Sequence, residues 1–333
     1  MRRYPTVRSL AASGEADLLA LWSGLGYYHR ARNLLEAARA ICEEHGGRIP
    51  ADMESLRRLP GVGPYTAAAI LSIGHNLPYP ALDANITRVI ARLGAIKGDT
   101  ARGPVRRVIE DLARRLIPRA RASEFNQALM DLGAMVCKPR SPSCDACPIA
   151  ADCKARRRGS VERIPSRRAS QGQVAVDLIA IVARRGEDCL LVQRGEGKLL
   201  GGMWEFPLVS ASAVGSAARA AHVMGANLVR EVGHISHTIT RHRIRIAVRE
   251  AASASQANEN QPTRRIRSEL GAVVLAGPAS YLATPRGSYR ARWVPLSQIT
   301  GGNDGLALTG AARKIARLIS ATAPARPSMA ASQ

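Results

Sequence analysis

The sequence predicts two folded domains of different class, an all-α domain first and an α+β domain second. Three observations carry this. The length of 333 residues sets two domains as the expectation, each with room for its own core. Up to residue 153, apolar residues recur at spacings of three and four, with Gly and Pro as punctuation and no strand-like alternation. From residue 174, apolar runs rich in Val and Ile bracket turn residues.

Taken in order, "LLALWSGLGYYHRARNLLEAARAICEEH" and "AIKGDTARGPVRRVIEDLARRL" read as amphipathic helices. "HGGRIP", "LPGVGP" and "NLPYP" read as the tight turns between them. The stretch 154–173, "KARRRGSVERIPSRRASQGQ", is basic and nearly free of large apolar residues, which predicts an interdomain linker. The second domain, 174–320, opens on "VAVDLIAIVARRGEDCLLVQR", read as strand, turn, strand. "HRIRIAV" and "YRARWVPL" add strands, and "TGAARKIARLIS" is a helix that its leading Thr can cap. Residues 251–288 lack a clear pattern and are expected to form a long loop, and the tail 321–333 to be disordered.

Composition narrows the classes of function. No apolar run is long enough to span a membrane and no signal peptide opens the chain, so the expected address is the cytoplasm, with no membrane partner. The formal charge is +22, from 48 Lys+Arg against 26 Asp+Glu. Such an excess points to a polyanion such as nucleic acid, and Arg-rich, GC-biased coding produces the same excess; both readings stand at this level.

Four of the six cysteines, Cys137, Cys144, Cys147 and Cys153, fall within one short loop as C-x6-C-x2-C-x5-C. In a cytosolic chain such thiols read as metal ligands rather than disulfides. Structural zinc takes paired C-x2-C arms, whereas one compact loop fits a [4Fe–4S] cluster better. Lys138 and Arg140 inside the loop, and Lys154, Arg156, Arg157 and Arg158 after it, are placed to meet phosphates. Cys42 and Cys189 are isolated and read as small buried residues.

The turn "LPGVGPYTA" sets Gly61 and Gly63 around Val62. Two glycines permit φ > 0 and close backbone approach, and the N–H groups at the start of the next helix form an anion site. Together, LPGVG, "LDANITRV" and the cysteine loop resemble the helix-hairpin-helix DNA glycosylases with an iron–sulfur cluster. "LWSGLGYYHRARNL" and "FNQALMDLGAMVC" narrow the resemblance to the adenine DNA glycosylase (MutY) family, whose members remove adenine mispaired with 8-oxoguanine or guanine.

The resemblance implies roles residue by residue. Asp83 is the catalytic carboxylate and Asn85 its support, although an Asp at this point commonly does no more than cap a helix. Arg88 reads as a solvated helix charge. Tyr27 is the wedge that helps flip the base out of the duplex, with Arg30 and Arg32 beside it on a DNA-facing loop, while Tyr28 and Trp22 belong to the core. Gly61, Val62, Gly63, Tyr65, Lys138 and Arg140 contact DNA. Tyr65 stands where the related endonuclease III-type lyases carry a lysine; a phenol forms no Schiff base, so the implied product is an abasic site on an uncut strand.

The second domain resembles the family's Nudix-like reader of 8-oxoguanine through "LLVQRGEGKLLGGMWEFP" and "RARWVPLSQI". The acidic Nudix helix has no counterpart after Pro207, which argues against pyrophosphate hydrolysis. Where the family reads the lesion with Phe-Ser-His, this chain has Ile239, Thr240, Arg241 and His242.

The family's catalytic acid is a glutamate in a run like SEVMLQQTQV. Aligned on GLGYY, its position falls upstream of Met1, and Glu15, Glu36, Glu43, Glu44 and Glu54 lie outside any matching motif. Two expectations follow: a longer protein whose start lies upstream, or a remnant that binds DNA without cutting. The full reading is a monomeric, monofunctional adenine glycosylase of base-excision repair, acting at the bacterial nucleoid on duplex DNA with A·8-oxoguanine or A·G mispairs. An endonuclease III-like lyase and a Nudix hydrolase are the rivals.

Overall fold

A computed structural model describes residues 2–166, 172–195, 200–212, 215–239, 241–253, 290–301 and 305–322. Two compact units result: Met1–Ala12 with Asn33–Ser170, and Ser13–Arg32 with Gln171–Gln333.

The first unit is helical, as its periodicity predicts. It contains α1 (Val7–Ala11), most of α3 (Tyr28–Glu44), α4 (Met53–Arg58), α5 (Pro64–Ala69), α6 (Ala84–Gly94), α7 (Gly103–Leu116), α8 (Ala122–Asp131) and α9 (Lys154–Arg157); α2 (Glu15–Leu21) belongs to the other unit. Side chains start several of these helices. Thr6 and Ser9 form a capping box on α1, Asp52 accepts from the Ser55 N–H at 2.8 Å, and Asp83 accepts from the Ile86 N–H at 2.6 Å. Single π-turns extend α5 through Ile70–Gly74 and α8 through Leu132–Val136.

Two apolar clusters among the described residues help hold the unit. Ala37, Ile41, Leu56, Leu59, Ala67 and Leu71 join α3, α4 and α5. Ile86, Val89 and Ile90 of α6 pack with Ile109, Ala113 and Leu129. Burying each such Ile or Leu contributes about 1.5–3 kcal/mol, so α6 is the helix the second cluster is built around.

That cluster also contains Ala155 and Ile164, both buried. The first half of the expected linker is therefore folded structure: α9 and a 3₁₀ turn at Val161–Arg163 carry two apolar anchors among the arginines. Two small apolar residues in a basic stretch escape a composition-based reading. The division between units falls after Ser170, inside the expected linker but well beyond residue 153.

The second unit is built on one mixed sheet, with a central order β3-β2-β1-β6-β5; β4 pairs with β1 and β7 with β2. The strands are β1 (Val174–Arg185), β2 (Asp188–Gln193), β3 (Trp204–Glu205), β4 (Leu208–Ser210), β5 (Ala226–Ile239), β6 (His242–Ser253) and β7 (Arg290–Pro295). Parallel pairing joins β1 to β6, from Val174 opposite His242 to Arg184 opposite Ala252. Alternate residues of β1 feed two cores. Val176, Leu178, Ala180 and Val182 pack with α11 (Leu296–Gly301) and α12 (Gly310–Thr322), while Ile179, Ile181 and Ala183 pack with α10 (Ser216–Val223). A strand buried on both faces loses the polar alternation of a surface strand, as its Val/Ile-rich run showed.

The leading Thr of the last helix does cap it: Thr309 Oγ1 accepts from the Ala312 N–H at 3.1 Å. Three strands are missing from the sequence reading: the short β3 and β4, and the long β5, whose register slips between Leu228 and Arg230 and again between Glu231 and Gly233. Each slip shifts the side-chain alternation by one place, which erases a period-two pattern. Of the expected loop 251–288, residues 251–253 end β6 and the rest lies outside the described residues, as does the tail beyond Thr322.

Candidate functional site

The expected catalytic pair sits at the start of α6. Asp83 is half-buried, and one carboxylate oxygen is spent on the Ile86 N–H at 2.6 Å. It is thus a helix cap, and the cap fixes the carboxylate at the positive end of an eleven-residue helix. Its other oxygen has no hydrogen bond among the described residues.

Behind Asp83, Asn85 Oδ1 accepts from Arg88 Nη2 at 2.8 Å. Arg88 is not the solvated charge expected from sequence. Only 8% of it is exposed, and it donates to the Gly133 carbonyl at 2.7 Å and the Cys137 carbonyl at 2.8 Å. Burial pulls its pKa below the usual guanidinium value, opposed by Cys137 and Asp83. Arg88 and Arg92 stand four apart in "NITRVIARLG", between residues that are themselves buried. The spacing hid this: Arg88 and Arg92 share the polar face of α6, opposite Ile86, Val89 and Ile90, and they are buried because the carbonyls of Gly133, Cys137, Lys138 and Ile164 lie over that face.

The four loop cysteines converge. Cys137, Cys144, Cys147 and Cys153 line one cavity with Arg92, Arg156, Val136, Ala150 and Val161. Among the described residues no three metal-binding side chains close on a point that would hold a single ion. Four thiols spread around a cavity suit a body larger than one ion. The Cys144 thiol is pushed up by burial and then by the other three thiols, a like-charge crowding that a cationic iron–sulfur core relieves. The residues present therefore fit a [4Fe–4S] cluster held by these four sulfurs. Cys189, by contrast, is fully buried in the second unit with its thiol pushed up to about 12, and Cys42 is half-buried.

The loop's cations divide. Lys138 and Arg140 are exposed, as expected, whereas Arg156 is paired with Asp145 at 2.8 Å.

At the "LPGVGP" turn only Gly61 takes the left-handed conformation, at φ +73°, and a Cβ there would lie 2.5 Å from Asn33 Cβ. Gly63 is extended, at φ −83° and ψ 177°, contrary to expectation. Its role is to lead into Pro64, the first residue of α5, a helix that no side chain caps. The Val62 N–H is used within the turn, donating to the Leu59 carbonyl at 3.1 Å. Tyr65 follows with 42% of its surface exposed.

In the second unit, Tyr27 is 64% exposed and held at φ +48°, uncommon for a bulky residue. Its ring meets His29 edge-on at 6.0 Å. Tyr28 is buried, and Trp22 Nε1 donates to the Gly26 carbonyl at 3.0 Å. Arg30 is exposed, but Arg32 is committed to Glu15 at 2.6 Å and to the Gly201 carbonyl, which removes it from the expected DNA-facing set. Of the expected lesion readers, Arg241 lies exposed in the turn before β6 and His242 is its buried first residue; Thr240 lies outside the described residues.

Known proteins match this chain in three segments. Residues 1–115 match the HhH-GPD superfamily of base excision DNA repair proteins, 137–153 the iron–sulfur binding domain of endonuclease III, and 178–317 the NUDIX domain. Adenine DNA glycosylase of Rattus norvegicus is 36% identical over 254 residues, covering 63% of this chain and 49% of that protein. Its counterpart in Schizosaccharomyces pombe is 41% identical over 165 residues, 49% of this chain and 36% of that protein. Among solved structures, a thermostable thymine-DNA glycosylase aligns with TM-score 0.42 and 28% identity, over 47% of this chain and 72% of that one. The chain spans about half the length of the curated relatives it matches. No described helix is long and apolar enough to cross a membrane.

Proposed function

We propose, for a chain that belongs to the adenine DNA glycosylase (MutY) family, that it serves base-excision repair by releasing adenine from duplex DNA through hydrolysis of the N-glycosidic bond. The observation that carries this is Asp83, pinned by one oxygen to the Ile86 N–H and backed by Asn85 and Arg88. As adenine departs, the sugar gains positive charge, and a fixed carboxylate at that position stabilises it without having to reorganise. Protonating the leaving base is the work of a general acid.

The remaining roles follow from placement. The Gly61–Gly63 turn, Tyr65, Arg30, Lys138 and Arg140 take DNA phosphates, consistent with the formal charge of +22. Tyr27 enters the duplex as the target base is flipped. Thr240, Arg241 and His242 read the base opposite adenine, 8-oxoguanine or guanine. Tyr65, a phenol, leaves the strand uncut. No Asp or Glu occurs from 208 to 230, so the NUDIX domain recognises rather than hydrolyses. The protein works as a monomer in the bacterial cytoplasm, on the nucleoid.

The test is single-turnover adenine release from A·8-oxoguanine and A·G duplexes. Adenine is expected to leave and the strand to stay uncut. Asp83→Asn should lower the rate roughly 10²–10³-fold while duplex binding persists. Binding without release would favour the remnant, and efficient borohydride trapping on abasic DNA would favour the lyase.

A further inference from the structure

Arg92 lies one turn beyond Arg88 on α6, and only 2% of it is exposed. Its guanidinium donates to the Ile164 carbonyl at 2.8 Å, the Lys138 carbonyl at 2.7 Å and the Cys137 carbonyl at 3.3 Å. A longer contact reaches the Pro139 carbonyl at 3.4 Å. Nη1 also points at a sulfur, Cys137 Sγ, at 3.2 Å. None of these partners is a carboxylate. A buried guanidinium that meets only neutral oxygens is unfavourable unless an anion stands close by.

The cavity supplies the place for one. Arg92 lines it together with all four cysteines. The other cation there, Arg156, is already neutralised by Asp145. A cluster ligated by four thiolates is net negative. We propose that Arg92 is the buried counter-ion of the iron–sulfur cluster, and that its Nη1–H···Sγ bond to Cys137 holds that ligand in place and favours the more reduced state. An electron added to the cluster spreads onto the ligand sulfurs, where a hydrogen bond and a fixed positive charge both stabilise it. Arg88 is the internal contrast: it reaches the same residue but ends on the Cys137 carbonyl. Arg92 is thus a positioning residue, and the inference rests on the cluster alone, independent of the adenine-releasing reaction.

The experiment is a mediated one-electron titration of the holoprotein and its Arg92→Gln, Arg92→Lys and Arg88→Lys variants, with the electron supplied by an external electrode. Iron loss to a chelator is followed in parallel by the cluster's visible absorbance. Arg92→Gln should shift the midpoint to a more negative potential and bleach several-fold faster. Arg92→Lys, which keeps the charge but loses the fork, should shift in the same sense by less, and Arg88→Lys should titrate with the wild type. If Arg92→Gln cannot retain its iron, Arg92→Lys decides the matter. A wild-type midpoint in either Arg92 variant that holds a cluster overturns the proposal, even if that variant melts earlier, because earlier melting alone reports packing.

Discussion

The two units bury arginine in different ways. In the second, Arg194 and Glu205 are each 5% exposed and meet at 2.6 Å, so the charge is cancelled by a neighbouring side chain. In the first, Arg88 and Arg92 are as deeply buried, yet their fixed partners are an amide oxygen, main-chain carbonyls and one sulfur. The NUDIX unit is electrically self-contained at its buried pair. The helical unit keeps a surplus of positive charge beside a ring of thiols, where an anionic inorganic centre belongs. A buried cation without a carboxylate therefore marks where a bound group completes the fold.

Three experiments break or sharpen that contrast. The largest effect is expected from Cys147→Ala, which removes one of the four thiols that line the cavity. Calorimetry with iron analysis should show the helical unit's transition lost or strongly lowered, by more than the ~0.5–3 kcal/mol of an ordinary substitution, while the NUDIX unit's transition stays in place. If both transitions survive, the helical unit is complete without its centre and the contrast fails.

Next comes Arg194→Leu. It strands a Glu205 carboxyl that burial already holds above the usual carboxylate range, and should cost about 3–5 kcal/mol in urea unfolding. The double change Arg194→Leu with Glu205→Leu should recover most of that loss, because an apolar pair replaces an ion pair at similar volume. A neutral single variant would show that the pair carries no charge in the folded state.

The smallest effect concerns His237, whose pKa is held below 6.5 by burial and then by Lys314. The unfolded histidine takes up a proton as pH falls through 6.5, whereas the folded one resists until lower pH. The NUDIX unit should therefore lose stability below about that pH and regain it on the way up, and His237→Gln should flatten the slope. An unchanged pH profile in the variant would assign the slope to another group.

Much of this was legible in the chain before folding. The cysteine spacing gave four thiols that line one cavity, "LDANITRV" a carboxylate that caps its helix, and the Val/Ile runs the doubly buried β1. What escaped did so for physical reasons. Arginine is read as surface by default, and Arg88 and Arg92 lie on the polar face of α6, so only the distant carbonyls that cover that face turn them inward. Ala155 and Ile164 anchor a segment whose average composition is that of a linker. The bulges of β5 break its periodicity, and Gly63 proved to be a lead-in to Pro64 where only Gly61 needs positive φ. Composition and period average over a window, whereas each of these features depends on one or two side chains.

Gly133, in the π-turn after α8, accepts from Arg88 through its carbonyl and lies so near Asn85 that a Cβ would come within 2.6 Å of that residue's own. One added methyl group would thus wedge the support of Asp83 away from the strut that runs to Cys137. An alanine allele at codon 133, harmless by any substitution matrix, would injure carboxylate and cofactor loop together.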